Sequence, residues 1–433
     1  MSVNICSNFI LVFSLIASLS SVGGFKDLNS STNAIAETSF VSVEQYDKMK
    51  NCTNDLSKKV SSIEYLTYFN CGHVSNTNND QTVREFSLIV DENQKIPISY
   101  EGHVHEGWTF NGTIPGPTIR VTEGDLVRIK VINSPGNQHA HSFHTHSVHP
   151  AQFDGVSMGG YPGGAIAPGN SFVYEFVAKP YGVYPYHCHV EPIADHINRG
   201  LYGMLIIDPK EPREQMTEFA MLMNGYDLDY EQEGPTTISP IGQQFKNEDQ
   251  DKISTEDKAK DHGIHVSLTK DGHQIKEQED SEDKSNIVHA AKVGDKVKDI
   301  DKEGNEGDKE EVADERDNEI YTVNGKAFDY MMNPIALETG KPYRVYLVNM
   351  LEFDLINSFH MHGTMYDYYT AGTDETSDFK TDIVTLAQGD RGIIEFQYDY
   401  PGKYMFHAHV TEFTDLGWMG FFDVKGIPAV TLN

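Results

Sequence analysis

Two stretches of the chain alternate apolar and polar residues with a period of two. The first begins near residue 83 and contains runs such as LVRIKVIN (126–133) and SFVYEF (171–176); the second runs from about 319 to 427. Alternation rich in β-branched and aromatic residues, bounded by Gly and Pro, predicts antiparallel strands with one buried face. Between them, residues 243–318 hold 23 Asp/Glu and 13 Lys/Arg in 76 positions, with a single aromatic, Phe245. That composition buries too little apolar surface to offset the entropy of ordering, so a disordered or surface-draped linker is expected. Its histidines, 262, 265, 273 and 289, have no rigid frame and belong to no site.

The two alternating regions are copies of one another. FNG at 110–112 returns as VNG at 323–325, and EGDLVRIKVIN at 123–133 is echoed by ETGKPYRVYLVN at 338–349. HSFHTH at 141–146 returns as NSFHMH at 357–362, and YHCH at 186–189 as FHAH at 406–409. A Glu-Phe pair (Glu175-Phe176, Glu395-Phe396) and a glycine (Gly169, Gly389) stand at the same offsets before the second histidine pair in both copies. So many fixed offsets mark an internal duplication, and the strand texture makes the fold all-β, a duplicated β-sandwich. The expected organisation is an export signal or N-terminal anchor over 1–25, a polar extension over 26–82, a first domain over 83–225, a linker with the acidic insert over 226–318, and a second domain over 319–427.

The formal charge of −31 over 433 residues excludes a nucleic-acid partner, which needs a basic face. The apolar run FILVFSLIASLSSVGG (9–24) reads as a signal or short anchor, although no Lys or Arg precedes it. An exported, extracytoplasmic chain is therefore expected, in a periplasmic-like space or at the cell surface. Cys52 and Cys71 can pair there. Cys188 is left over, flanked by histidines, and a metal thiolate accounts for it.

Four His-x-His units stand out: His144/His146, His187/His189, His360/His362 and His407/His409. Strand alternation puts both members of each on one face, so each unit offers two imidazoles to a cavity. His103 and His105 form a fifth pair without a counterpart, expected to face solvent. Eight histidines exceed the set of one metal ion. Cys188, with His141 and His196, makes the two-histidine, one-thiolate set of a blue copper site. Alternation turns Cys188 away from His187 and His189, so one residue serves the blue copper while its covalent neighbours serve a cluster. The second copy has Asn357 and Ala408 where the first has His141 and Cys188, and no histidine after His409, so there is one blue site.

WTFNGTIPGPTIRVTEGD (108–125), the H-x-x-H-x-H segment, HCH and the four paired units resemble the multicopper oxidase family, in its two-domain, small-laccase-like form with the blue copper in domain 1. The resemblance covers about residues 83–427. It implies two cupredoxin-like Greek-key sandwiches and a head-to-tail homotrimer, with a trinuclear type 2/type 3 cluster formed where domain 1 of one subunit meets domain 2 of the next. Four coppers per chain follow: type 1 at His141, Cys188 and His196, and three at His144, His146, His187, His189, His360, His362, His407 and His409. The family's axial position falls on Leu201, which cannot ligate; Met204 reads as core packing. Six residues separate His189 from His196, against four in the family. Glu191 matches a position that relays protons to the cluster. Asp154 resembles the family's acid behind the cluster, which normally follows the His-x-His of the domain lacking the blue site and so would favour Asp374 or a neighbour. His149 reads as a channel or loop residue.

The function expected is oxidation of a reductant by single electrons at the type 1 copper, with reduction of dioxygen to water. The electron donor stays open among phenols, metal cations and a small cupredoxin. A copper nitrite reductase is the alternative; that family has an aspartate in place of His144 and no second cluster histidine in place of His189. A non-catalytic copper electron-transfer protein is the third reading, and eight paired histidines are more than it needs.

Overall fold

The computed structural model describes residues 52–53, 59–76, 81–228, 318–354 and 356–427. The apolar N-terminal run and the acidic segment lie outside the described residues. Among the described residues no helix is long and apolar enough to cross a membrane.

The alternation becomes two β-sandwiches. In the strand Leu126–Asn133, Val127, Ile129 and Val131 are wholly buried while Lys130 faces solvent, as a half-covered sheet requires. One sheet of the first sandwich orders Cys52–Thr53, Phe69–Asn70, Thr118–Thr122, Tyr202–Asp208, Gly182–His187 and His144–Thr145. The other orders His73–Asn76, Thr82–Pro97, Leu126–Asn133 and Ser171–Val177, with Val104–Phe110 also on Thr82–Pro97. The second sandwich packs Ile320–Val323, Thr217–Tyr226, Pro342–Asn349, Arg391–Gln397, Tyr366–Thr370 and Phe379–Thr381 against Ile335–Glu338, Met419–Lys425, Gly402–His407, Ile356–Met361 and Ile383–Ala387.

Two expected boundaries move. The extension over 26–82 is not all tether. Residues 52–53 and 69–76 add short strands to the first sandwich, the helix Ser62–Tyr65 bonds across to Asp329 and Tyr330 of the second, and Cys52 and Cys71 form a disulfide. Phe69 and Tyr65 are almost fully buried, so apolar burial overrides the polar texture around them. The strand Thr217–Tyr226, assigned in sequence to the first domain, lies parallel to Pro342–Asn349 in the second. It also pairs antiparallel with Ile320–Val323, Tyr226 opposite Ile320. The acidic segment therefore leaves and re-enters one hairpin of the second sandwich, and residues 209–216 make the crossing between sandwiches.

Each sandwich has its own core. Phe86, Phe110, Phe143, Tyr186 and Cys188 belong to the first; Phe359, Phe406, Trp418 and Phe422 belong to the second. A third cluster joins them, with Val183, Ile197, Tyr202, Met204 and Ile206 from one side and Ala220, Leu222, Tyr346, Val348 and Ile393 from the other. Burying each aliphatic side chain of this size contributes roughly 1.5–3 kcal/mol, so the sandwiches are held together as one body. A buried charge network crosses the same seam. Arg120 binds both oxygens of Asp208 at 2.9 Å and reaches Glu218 at 2.6 Å, and Arg344 bridges Glu218 at 3.0 Å and Glu395 at 2.7 Å.

Candidate metal centre

Cys188 follows the last residue of the strand Gly182–His187, and its side chain turns into the first core. His141 comes from the segment after Leu126–Asn133, held by a bridge to Ile166. His196 sits in the short helix Ile193–Asn198, which takes up the longer spacing after His189. The three donor atoms lie within 4.8 Å of one another. His196 Nδ1 is 3.1 Å and His141 Nδ1 is 3.9 Å from Cys188 Sγ, and the Ser142 N–H donates to the sulfur at 3.3 Å. All three residues are buried. Burial pushes the Cys188 thiol up to about 11 and His196 well below the ordinary imidazole value. Two neutral imidazoles and a sulfur in an apolar pocket fit a copper ion better than a hard cation. Leu201 is in the core cluster of Cys188, and Met204 lies instead in the cluster between sandwiches.

Two further residues border this site: Trp108, which opens the family-like run at 108–125, and Glu92, which carried no sequence signal. Trp108, almost fully buried, meets both ligand-set rings edge to face, 5.2 Å from His141 and 4.9 Å from His196. Glu92 lies 49 residues before His141 in a stretch, VDENQ, that reads as an ordinary acidic turn. Its carboxylate accepts from the backbone N–H of Gln138 and His139 at 3.0 Å and meets His141 Nε2 at 2.8 Å. Burial alone would raise its pKa; the bonds from His141 and the two backbone amides instead bring it down to about 2. His105, expected to face solvent, is buried with its ring 4.6 Å from that of Tyr226.

The eight paired histidines form two matching groups. In the first, His146 Nε2 and His187 Nε2 approach to 3.2 Å, and the rings of His144, His146, His187 and His189 lie 5.0–5.6 Å from their neighbours. In the second, His362 Nε2 and His407 Nε2 also approach to 3.2 Å, and His360 and His409 complete the set. The orienting bonds match too. His144 and His360 each turn Nδ1 to a backbone oxygen at 2.8 Å, of Asp154 and Asp382. His187 and His407 turn Nδ1 to the carbonyls of Cys188 and Ala408. Such bonds fix the tautomer and aim Nε2 at a common point. His189 Nδ1 is buried with no hydrogen-bond partner, a further donor fit for a metal. Burial holds His187 down to about 3, so it is neutral at physiological pH. Within one chain the groups stay apart: among the described residues no metal-capable cluster mixes histidines of both sandwiches.

The acids fall out differently. Asp154 Oδ1 lies 3.1 Å from His144 Nδ1 and 3.5 Å from His149 Nε2. Its counterpart behind His360 is Asp382, 3.9 Å away. Asp374 is not that acid; its carbonyl instead accepts from Arg213. Glu191 is exposed just before the helix Ile193–Asn198.

Two cupredoxin-like sandwiches carrying these donors define a copper-dependent oxidoreductase. Family models described as multicopper oxidase match residues 92–212 and 302–426, and the chain belongs to that family. A solved multicopper oxidase structure is 34% identical, with a TM-score of 0.62 over 84% of this chain and 97% of its own. The multicopper oxidase of Staphylococcus aureus is 24% identical over 74% of this chain and 84% of that protein. A copper-containing nitrite reductase of Neisseria meningitidis serogroup B is 25% identical over 77% of this chain and 67% of that protein. The chain thus spans about two thirds of the length of the Neisseria nitrite reductases it matches.

Proposed function

We propose that the protein takes single electrons from a reductant at a blue copper held by His141, Cys188 and His196. It passes them to a trinuclear copper cluster and reduces dioxygen to water. The observation that carries this reading is the pair of matching four-histidine groups. Nitrite reduction needs one catalytic copper and leaves most of these imidazoles idle, although the Neisseria relatives keep it as the competing reading. Bound copper would supply the one-electron redox chemistry. The chain's residues do the rest. Cys188 is covalently joined to His187 and His189, a through-bond path from one site to the next. Leu201, in the apolar shell of the thiolate, offers no donor and would favour a raised potential of copper bound there. Asp154, which holds His144, and Glu191 deliver the protons that dioxygen reduction consumes.

Because the two groups stay apart within a chain, each cluster takes His144, His146, His187 and His189 from one subunit and His360, His362, His407 and His409 from the next. A closed head-to-tail trimer satisfies every half-site. The disulfide supports an oxidising, extracytoplasmic location. The electron donor is a phenol, a metal cation or a small cupredoxin.

The test is copper per chain in the fully loaded protein, by elemental analysis beside an absorption spectrum. About four coppers, one of them blue, are expected from the eleven donors. A count near two with the blue band intact would sink the trinuclear reading in favour of nitrite reduction.

A further inference from the structure

We infer that Glu92 is a positioning residue for the blue copper: its carboxylate fixes His141 as the Nε2–H tautomer and lowers the reduction potential of the site. The inference rests on the blue-copper reading above and extends it to a residue outside the ligand set.

The placement is built into the backbone. The strand Thr82–Pro97 runs parallel to Leu126–Asn133 as far as Val90 and then continues against Val104–Phe110 alone. Its register shifts between Asp91 and Gln94, and Asn93 takes φ 59°. A bulge of this kind re-aims a side chain, and the one re-aimed is Glu92, whose side chain is 2% exposed. The segment before His141 is wrapped around it. The Glu92 N–H donates to Asn137 Oδ1 at 3.0 Å, and Asn137 Nδ2 donates in turn to the Val90 carbonyl at 2.8 Å. Asn133 Nδ2 ties down the His139 and Ile166 carbonyls at 2.8 and 2.7 Å.

Four nitrogens surround the two carboxylate oxygens. Gln138 N and His139 N donate at 3.0 Å, His139 Nδ1 stands at 3.2 Å, and His141 Nε2 stands at 2.8 Å. A carboxylate that accepts so many donors is an acceptor only, so the proton on that edge of His141 belongs to Nε2. The lone pair then sits on Nδ1, the atom that faces Cys188 Sγ. A carboxylate on the far nitrogen also makes an imidazole a stronger donor. Stronger donation and a buried negative charge beside the site both favour cupric over cuprous copper. Glu92 thus opposes Leu201, and the potential is set between them.

The experiment is a redox titration of the blue band in the copper-loaded wild type, E92Q and E92D. Loss of the charge in E92Q is expected to shift the reduction equilibrium toward cuprous copper roughly tenfold, about 59 mV for a one-electron couple. E92D, which keeps the charge, is expected nearer to wild type. An E92Q site that keeps its blue band and titrates with wild type overturns the proposal. So does a shift of equal size in E92D. If E92Q does not fold, nitrogen NMR of His141 in the metal-free wild type decides: an Nε2–H ring upholds the inference and an Nδ1–H ring overturns it. Melting of the metal-free proteins separates a loosened fold from a retuned site. Failure of the underlying reading looks different, because the wild type itself would then show no blue band.

Discussion

At Gly155 the backbone takes φ +77°, and a Cβ would lie 2.2 Å from the carbonyl oxygen of Phe143. No side chain fits there. The turn so made presses Asp154 against His144, the orienting contact of the first histidine group. Gly155→Ala is expected to cost about 1–3 kcal/mol of stability through strain and displaced backbone. It is also expected to lower the copper retained beside His144 while any blue band survives, as thermal melting and metal analysis would show. The Phe-Asp-Gly sequence hinted at an acid behind the cluster, but choosing between Asp154 and its counterpart was beyond it. Asp382 reaches His360 through strand pairing, since Ile383 lies opposite His360, and no spacing rule encodes that. The paired histidines were readable because covalent alternation places them; Glu92 was not, because a bulge carries it to His141.

Among strands, the duplication is most exact where the backbone is most constrained. Asn111 and Gly112 take φ 57° and 75°, and Asn324 and Gly325 take φ 56° and 84°, the left-handed pair that an Asn-Gly turn supplies. Each asparagine also accepts from a strand behind it, Ile89 N at 2.7 Å in one copy and Leu222 N at 2.8 Å in the other. Thr217–Tyr226 is therefore the second sandwich's equivalent of Thr82–Pro97. Its sequence, TEFAMLMNGY, matches no motif of the first copy, which is why the boundary misplaced it. This strand also brings Glu218 to the seam. Burial alone would raise its pKa, but Arg120 overrides this and holds it below the ordinary carboxylate range. A depressed folded value means the stabilisation is complete above the unfolded value of about 4.3 and fades as pH falls through the folded one. Glu218→Gln leaves two buried guanidiniums short of a partner and is expected to cost about 3–5 kcal/mol in denaturant unfolding at neutral pH. The deficit should shrink in acid.

For the molecule as a whole, the pairing of Tyr226 with Ile320 has the widest reach. Closing a hairpin around roughly 90 residues costs about 3 kcal/mol more than closing it around a four-residue turn. Replacing residues 229–317 by such a turn is therefore expected to leave copper content and the blue spectrum unchanged, and to raise rather than lower the unfolding midpoint. A loss of bound copper in that variant would show that the segment takes part in the site. The composition marked the acidic segment off from the alternating runs, but only the register shows that its two ends meet in one hairpin. Its 23 acidic residues against 13 basic ones make it a large contributor to a formal charge of −31. The electrostatic character of the protein is thus partly modular: about a third of its net negative charge enters the chain between two paired strands, separable in sequence from every histidine of the paired groups.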